Sequence, residues 1–211
     1  MTALPRLWGR ASSVNVQKVM WALTELDLAY DRIDAGFTYG QTDTDSFATM
    51  NPTRRVPVWQ DSDLTLFESN AILRHLGRSQ RALWPKTLKD QAIADQWMEF
   101  ASTTWQPPVL VIFYETVRLP PDKRSPERLV QAVDDATAAA RVLDGRLAQS
   151  EWLSGDGFTM ADITAGALMH RYVDMSFERV HFPYLDRWRK ALEARAPYRN
   201  TVQTSYEELR G

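Results

Sequence analysis

Ser12, Ser13 and Asn15 stand where a loop of small residues, 9–13, meets a run with helical spacing, so two hydroxyls and an amide are offered at the positive end of a helix. Hydroxyls in that place ordinarily cap the helix by accepting from its first N–H groups. They can also donate to an anion brought by a ligand. Further along, residues 51–73 read NPTRRVPVWQDSDLTLFESNAIL. Val56, Val58 and Trp59 form a short apolar run, Asp61-Ser62-Asp63 a turn, and Leu64, Leu66 and Phe67 a second run, with helical spacing from Ser69 onward. Pro57 has no N–H to give a strand ladder and marks an exposed corner. A cis Val56–Pro57 bond would turn the Val56 N–H and C=O outward, free to pair with an extended, peptide-like ligand. Glu68 and Ser69 then set a carboxylate beside the donors of a second helix start. That suits a zwitterion, its ammonium on Glu68 and its carboxylate on the N–H and hydroxyl of Ser69.

Composition narrows the chemistry. The 211 residues carry a formal net charge of −2 and no cysteine. Disulfides, thiolate metal sites and a protein-borne sulfur nucleophile are therefore excluded, and any thiol chemistry must take its sulfur from the ligand. Near-neutral charge implies no general attraction to nucleic acid or anionic membrane. The opening residues lack the apolar core of a secretory signal, and no apolar run approaches the roughly 18 residues of a membrane span. A soluble, cytoplasmic protein without membrane or nucleic-acid partners is the expectation. A hydrolase built on Ser13 needs a histidine base within reach. Of the three histidines, His75 falls mid-helix after Ser69, while His170 and His181 fall in the helical half, and their spacing makes no metal site.

The elements that must position these residues follow from periodicity. Arg6 to Trp8 forms a strand, 14–26 a helix closed by Asp27, and 29–34 a second strand, with 36–49 polar and irregular. With the Val56 hairpin and the Ser69 helix, the order is β-α-β, loop, β-β-α. A polar stretch follows, and then the pattern turns helical. Residues 1–78 are expected to form one domain, 79–88 a linker and 89–211 an all-helical domain. Within the latter, Pro107-Pro108 should kink or break a long apolar run. A third long helix over 127–149 should turn Leu129, Val133, Ala136, Ala140, Leu143 and Leu147 inward. Thr159 and Asp162 have the spacing of a capping box, with Phe158 and Ile163 at the positions of a hydrophobic staple. That pair is a folding device rather than a catalytic one.

The sequence of Val-Pro, strand, turn, strand, Glu-Ser, helix resembles the glutathione-binding half of the glutathione S-transferase family. RLWGRASSVNVQKVMWAL upstream and SGDGFTMADI downstream extend the resemblance over nearly the whole chain. It implies an α/β thioredoxin-like N-terminal domain plus an all-α C-terminal domain, the architecture of a cytoplasmic, detoxifying transferase. Glutathione would be a co-substrate, with no permanently bound cofactor or metal. Matching Gln17-Lys18-Val19 to serine-type and related bacterial members puts Ser13 at the hydroxyl that donates to the glutathione sulfur and Asn15 at the assisting amide, with Ser12 in reserve. Trp8 occupies the strand end where the tyrosine-type members would carry their tyrosine. Glutathione would pair with Val56 at the Pro57 corner and meet Glu68 and Ser69. Arg55 is favoured over Arg54 for the glycine carboxylate, with Gln41 a looser candidate. Trp105, Phe113 and Tyr114 are candidates for an apolar pocket for the second substrate, although core packing is the commoner task of such side chains.

The activity implied is conjugation of glutathione to a small hydrophobic electrophile. A glutathione-dependent disulfide or peroxide reductase is the alternative within enzymology, and a non-catalytic scaffold the alternative outside it. A symmetric homodimer is implied by the resemblance and by the many Trp and Phe side chains that need burial.

Overall fold

The computed structural model describes residues 4–211 and divides into two compact units, one running through Ala82 and the other spanning Leu83–Gly211. The division falls inside the 79–88 stretch expected to join sheet to helices.

In the first unit β1 (Arg6–Trp8) leads through α1 (Val14–Glu25) to β2 (Asp31–Ile33), a 3-10 turn at Phe37–Tyr39 and α2 (Asp45–Met50). The hairpin β3 (Val58–Gln60) and β4 (Thr65–Phe67) then feeds α3 (Ser69–Gln80). The strand order is β2-β1-β3-β4, with β1 parallel to β2 and the other pairs antiparallel. This is the expected thioredoxin-like sheet. Side chains alternate across it. Trp8 and Val58, partners in register, lie on the face covered by Phe47 of α2, with Ala35, Met50, Val56 and Phe67 packed around them. The next pair, Leu7 and Trp59, must point to the other face, where both are buried. α1 and α3 pack on each other, and Val16, Val19 and Leu23 of the first and Ile72, Leu73 and Leu76 of the second are buried.

Three local expectations change in this unit. Pro57, expected at an exposed corner, is buried, and Val56 before it is half-buried. α2 lies within the 36–49 stretch expected to be irregular. DSFATM is too short to show a helical period, and one anchor, Phe47, with an N-cap by Thr44 (3.2 Å from the Phe47 N–H), is enough to form it. β2 is shorter than 29–34 because it is an edge strand whose neighbour β1 offers three residues to pair with.

The second unit is helical throughout. α4 (Leu88–Phe100) runs through a π turn (Ala101–Trp105) into α5 (Gln106–Phe113) and a further π turn (Tyr114–Arg118). Pro107 and Pro108 do not interrupt this path. They occupy the first turn of α5, and the π turn ahead of them, in which the Gln106 N–H reaches back to the Ala101 carbonyl, removes the ring clash a regular α-helix would suffer. α6 (Pro126–Leu147) turns Ala132, Ala136, Ala139, Ala140, Leu143 and Leu147 inward, while Leu129 and Val133 are only half-buried. The alanine stripe lets α5 and α6 pack closely. α7 (Met160–Gly166) is buried at every position, and α8 (Met169–Asp174), α9 (Pro183–Glu193) and α10 (Ala196–Thr201) complete the unit.

The start of α7 carries the expected capping box between Thr159 and Asp162. Asp162 accepts from the N–H groups of Leu153 and Thr159 and from the Trp188 indole, each at 3.0 Å. Burial nevertheless pushes its carboxyl up to about 6, against the downward pull of those bonds.

Candidate functional site

The hairpin register brings the separate sequence signals to one end of the sheet. Val58 pairs with Phe67, so continuing that register sets Pro57 against Glu68 and Val56 against Ser69. Trp8 pairs with Val58, so the loop leaving β1 emerges at the same end. Gly9 follows, with φ 148°, and a Cβ there would lie 2.4 Å from Val16 Cγ2 and 3.2 Å from Val56 Cβ. Only glycine fits, and its absent side chain lets the serine loop close onto the Val56 corner.

The serine loop turns tightly into α1. The Ser13 N–H donates to the Arg10 carbonyl (3.1 Å), and the Ser13 carbonyl accepts the Gln17 N–H (2.8 Å). Ser13 is the extended N-cap residue, with φ −80° and ψ 121°, yet its hydroxyl makes no capping bond. The ordinary use of a serine at this position is therefore not the one adopted here. Ser12 and Ser13 are both largely withdrawn from solvent. Asn15 follows in the first turn of α1.

The Val56–Pro57 peptide is cis. The turn before it is pinned by Asn51, which is buried; its Nδ2 donates to the Arg55 carbonyl at 2.7 Å, while its Oδ1 accepts from the Thr53 N–H and hydroxyl at 2.9 and 2.8 Å. Asn51 was not singled out from the sequence, although an Asn before Pro52 is a known turn former whose side chain can bond the backbone two residues on. Glu68 is the N-cap residue of α3, with φ 68° and ψ 114°, and its exposed side chain makes no capping bond. A non-glycine residue held there is strained, a condition that persists only when its surroundings impose it. Ser69 opens the helix, and α3 has no acidic residue in its first turn to neutralise its positive end.

Beneath this end of the sheet lies Lys18, 1% exposed on α1, a residue quoted in the sequence pattern but given no role there. Burial pushes its ammonium down to about 7, and the charge of Glu68 acts the other way. A lysine set in an apolar run is visible in sequence, but its burial shows only in the folded unit.

The remaining candidates separate by their surroundings. Arg54 donates to the carbonyls of Thr42 and Thr44 at 3.3 and 3.2 Å and pairs with Asp45 at 3.6 Å, so it serves the loop before α2. Arg55 is exposed, and its guanidinium is left to solvent among the described residues. Gln41 is exposed at φ 70°, its carbonyl accepting the Thr44 N–H and hydroxyl. His75 faces Asp61 at 3.9 Å on α3, and His170 and His181 belong to the second unit, so no histidine is bonded to Ser13.

In the second unit Trp105 is fully buried, its indole N–H bonded to the Ala165 carbonyl at 3.2 Å and its ring edge-on to Tyr172. Phe113 is also buried, against Tyr206. Tyr114 is the member of the proposed trio that reaches solvent, at 45% exposure.

Comparison with known proteins finds relatives along nearly the whole chain. A family model described as "Glutathione S-transferase, N-terminal domain" matches residues 5–78, and one described as "Glutathione S-transferase, C-terminal domain" matches residues 106–196. The chain is 36% identical over 200 residues to the glutathione S-transferase GstB of Escherichia coli K12, spanning 93% of this chain and 96% of that one. It is 31% identical over 207 residues to glutathione S-transferase 4 of Zea mays, spanning 95% and 92%. Among solved structures, the theta class glutathione S-transferase of Xanthomonas axonopodis pv. citri with glutathione bound superposes with a TM-score of 0.93 at 34% identity, covering 97% of this chain and 99% of that one.

Proposed function

The chain belongs to the glutathione S-transferase family, and we propose that it binds glutathione across the Val56 corner, stabilises its thiolate with Ser13 and conjugates it to a small hydrophobic electrophile. The observation that carries this is a helix-start hydroxyl not used for capping, at the same sheet end as Glu68 and Ser69. A similar theta class structure holds glutathione, which supports the ligand.

Each residue has a physical task in this reading. Backbone groups of Val56 pair with the cysteinyl residue of glutathione, as one strand pairs with another. Glu68 takes the α-ammonium of the γ-glutamyl end, and Ser69 with the first N–H groups of α3 takes the adjacent carboxylate. Arg55 and Gln41 meet the glycine carboxylate. Ser13 donates to the sulfur.

A serine hydroxyl is no base near neutral pH, so it acts by preferring the anion. An ordinary thiol has a pKa of about 8.5, and lowering it by roughly two units requires about 2.7 kcal/mol. A hydrogen bond to a charged atom gives roughly 1.5 to 3 kcal/mol, and the α1 N-terminus adds about 0.3 to 1. Asn15 supplies a further donor, with Ser12 the alternate hydroxyl, and no histidine is required. The thiolate then attacks the electrophilic carbon, a C–S bond forms, and the leaving group departs with its electron pair.

A symmetric homodimer is part of the same reading, supported by the family relationship, and sedimentation showing only monomer at micromolar concentration would remove it. Retention on immobilised glutathione tests the ligand directly. A panel comparing conjugation of aryl halides, conjugation of enones and reduction of small disulfides tests the reaction. Conjugation without disulfide reduction is the expected outcome, and the reverse would move the assignment to a reductase.

A further inference from the structure

The loop between β2 and α2 is shaped more tightly than an exposed connection requires. Within residues 36–41, Gly36, Phe37, Gly40 and Gln41 have φ of 79°, 57°, 62° and 70°. Two of these are not glycine, and side-chain-bearing residues leave such conformations unless something holds them. The Gly36 N–H closes the loop on the Gly40 carbonyl at 2.7 Å. Phe37 nevertheless stays 45% exposed.

An arginine stands at each flank. Arg54 donates to the carbonyls of Thr42 and Thr44 on the far side. On the near side the Arg10 guanidinium lies 5.7 Å from the centre of the Phe37 ring, a cation–π distance. A Cβ built on Gly36 would come 3.1 Å from Arg10 Nη1 and 3.6 Å from Val56 Cγ1. Arg10 also supplies the carbonyl that accepts the Ser13 N–H, and its own N–H donates to the Ala35 carbonyl at 3.2 Å. One residue thus ties the serine loop to the loop that carries Gln41, beside the Val56 corner.

We propose that Arg10 is a positioning residue: stacked on Phe37 and set against Gly36, it holds residues 36–41 in the conformation that presents Gln41 to the glycine carboxylate of glutathione, and so sets a preference for the tripeptide over γ-glutamylcysteine. This rests on the reading that glutathione is the ligand. Arg10 need not touch the ligand itself. Its removal frees Phe37 and Gln41 to relax, and the part of the ligand that suffers is the glycine end alone. A cation acting instead on the sulfur would affect both thiols equally, because both carry the same cysteinyl group.

The test is calorimetric binding of glutathione and of γ-glutamylcysteine to wild type, Arg10→Leu, Arg10→Lys and Phe37→Ala, with amide exchange at Gly36 and Gly40 followed in the ligand-free proteins. Arg10→Leu and Phe37→Ala should each weaken glutathione about tenfold, as expected when one hydrogen-bonding group is misplaced, and γ-glutamylcysteine less than about twofold. Arg10→Lys, which keeps the charge but not the planar stack, should fall between wild type and Arg10→Leu. Exchange at Gly36 and Gly40 should quicken in Arg10→Leu. Equal weakening of both thiols, or unchanged exchange, overturns the proposal. Should Arg10→Leu fail to fold, Phe37→Ala, changed at a largely exposed ring, decides on the same two readouts. Wild type that takes up neither thiol defeats the glutathione reading and with it the stated preference, while the exchange rates still decide whether Arg10 holds the loop.

Discussion

Two helix starts in this molecule carry the same kind of residue and treat it in opposite ways. At the start of α7, Thr159 accepts the Ala161 N–H at 3.3 Å, and Asp162 closes the capping box while also accepting the Leu153 N–H and the Trp188 indole. Every strong group there is used inside the protein. At the start of α1, Ser13 holds the N-cap backbone but its hydroxyl caps nothing. α3 likewise begins at Glu68, whose side chain caps nothing and whose backbone is strained. The difference separates a helix start whose side chains are bonded within the fold from helix starts whose N-cap side chains make no capping bond.

The comparison is broken most severely at α7. Asp162→Ala should destabilise the fold by about 3 to 5 kcal/mol, because it leaves buried donors without an acceptor; denaturant titration measures it. Asp162 also gives the fold an acid-side pH dependence. Its carboxyl is raised from 3.8 to about 6, so its contribution is full below 3.8 and is lost as pH rises through 6. Asp162→Asn should flatten that part of the stability profile.

At the ligand end the effect moves from folding to binding. Glu68→Ala should weaken glutathione by about 1.5 to 3 kcal/mol, the worth of a charge-assisted hydrogen bond, with little change in stability. Unchanged affinity by calorimetry in a folded protein would sink the assignment of Glu68 to the ammonium.

Lys18 sharpens the contrast through pH. The unfolded chain holds its proton up to 10.5, whereas the folded chain releases it near 7. Between those values the unfolded state binds more protons, so this group makes stability rise with pH, at most by about 1.4 kcal/mol per pH unit, and contributes no slope below 7. Lys18→Met should remove that rise. A profile between pH 7 and 9 that is the same in both proteins would show that Lys18 keeps its proton.

The smallest expected effect is on stability at Ser13. A serine that caps its helix is worth about 1 kcal/mol. Ser13→Ala should fall below about 0.5 kcal/mol, within the range of substitutions that touch no such feature. A loss near the full value would mean that the hydroxyl caps α1 in solution.

Legibility in the sequence followed the same division. The capping box of Thr159 and Asp162 was readable because both partners lie within one turn, and the Val56 hairpin because its turn and strands are contiguous. The order of β1, α1, β3, β4 and α3 was readable from short apolar runs, turn residues and helical spacing. α2 was not, being shorter than two helical turns. Pro107 and Pro108 signalled an irregularity in the helix, but its form, a π turn ahead of them, depends on backbone hydrogen bonding that residue type does not reveal. Within the candidate site, Glu68, Ser69 and the serine loop stood out by residue type. Lys18 and Arg10 did not, since what distinguishes them is their surroundings far along the chain, the charge of Glu68 and the ring of Phe37; Asn51 was passed over although its partners, Thr53 and Arg55, are local.

The central claim is that the Ser13 hydroxyl, unused in the fold, donates to the glutathione sulfur, and the most direct measurement is the thiolate absorbance of bound glutathione against pH in wild type, Ser12→Ala, Ser13→Ala and Ser13→Ala with Asn15→Ala. Wild type should titrate roughly two units below the free thiol. Ser13→Ala should recover about one of those units, corresponding to about 1.4 kcal/mol, and the added Asn15 change should raise the midpoint further. A midpoint that moves for Ser12→Ala alone would transfer the role to Ser12, and one that moves for neither serine would contradict the claim that this loop activates the thiol.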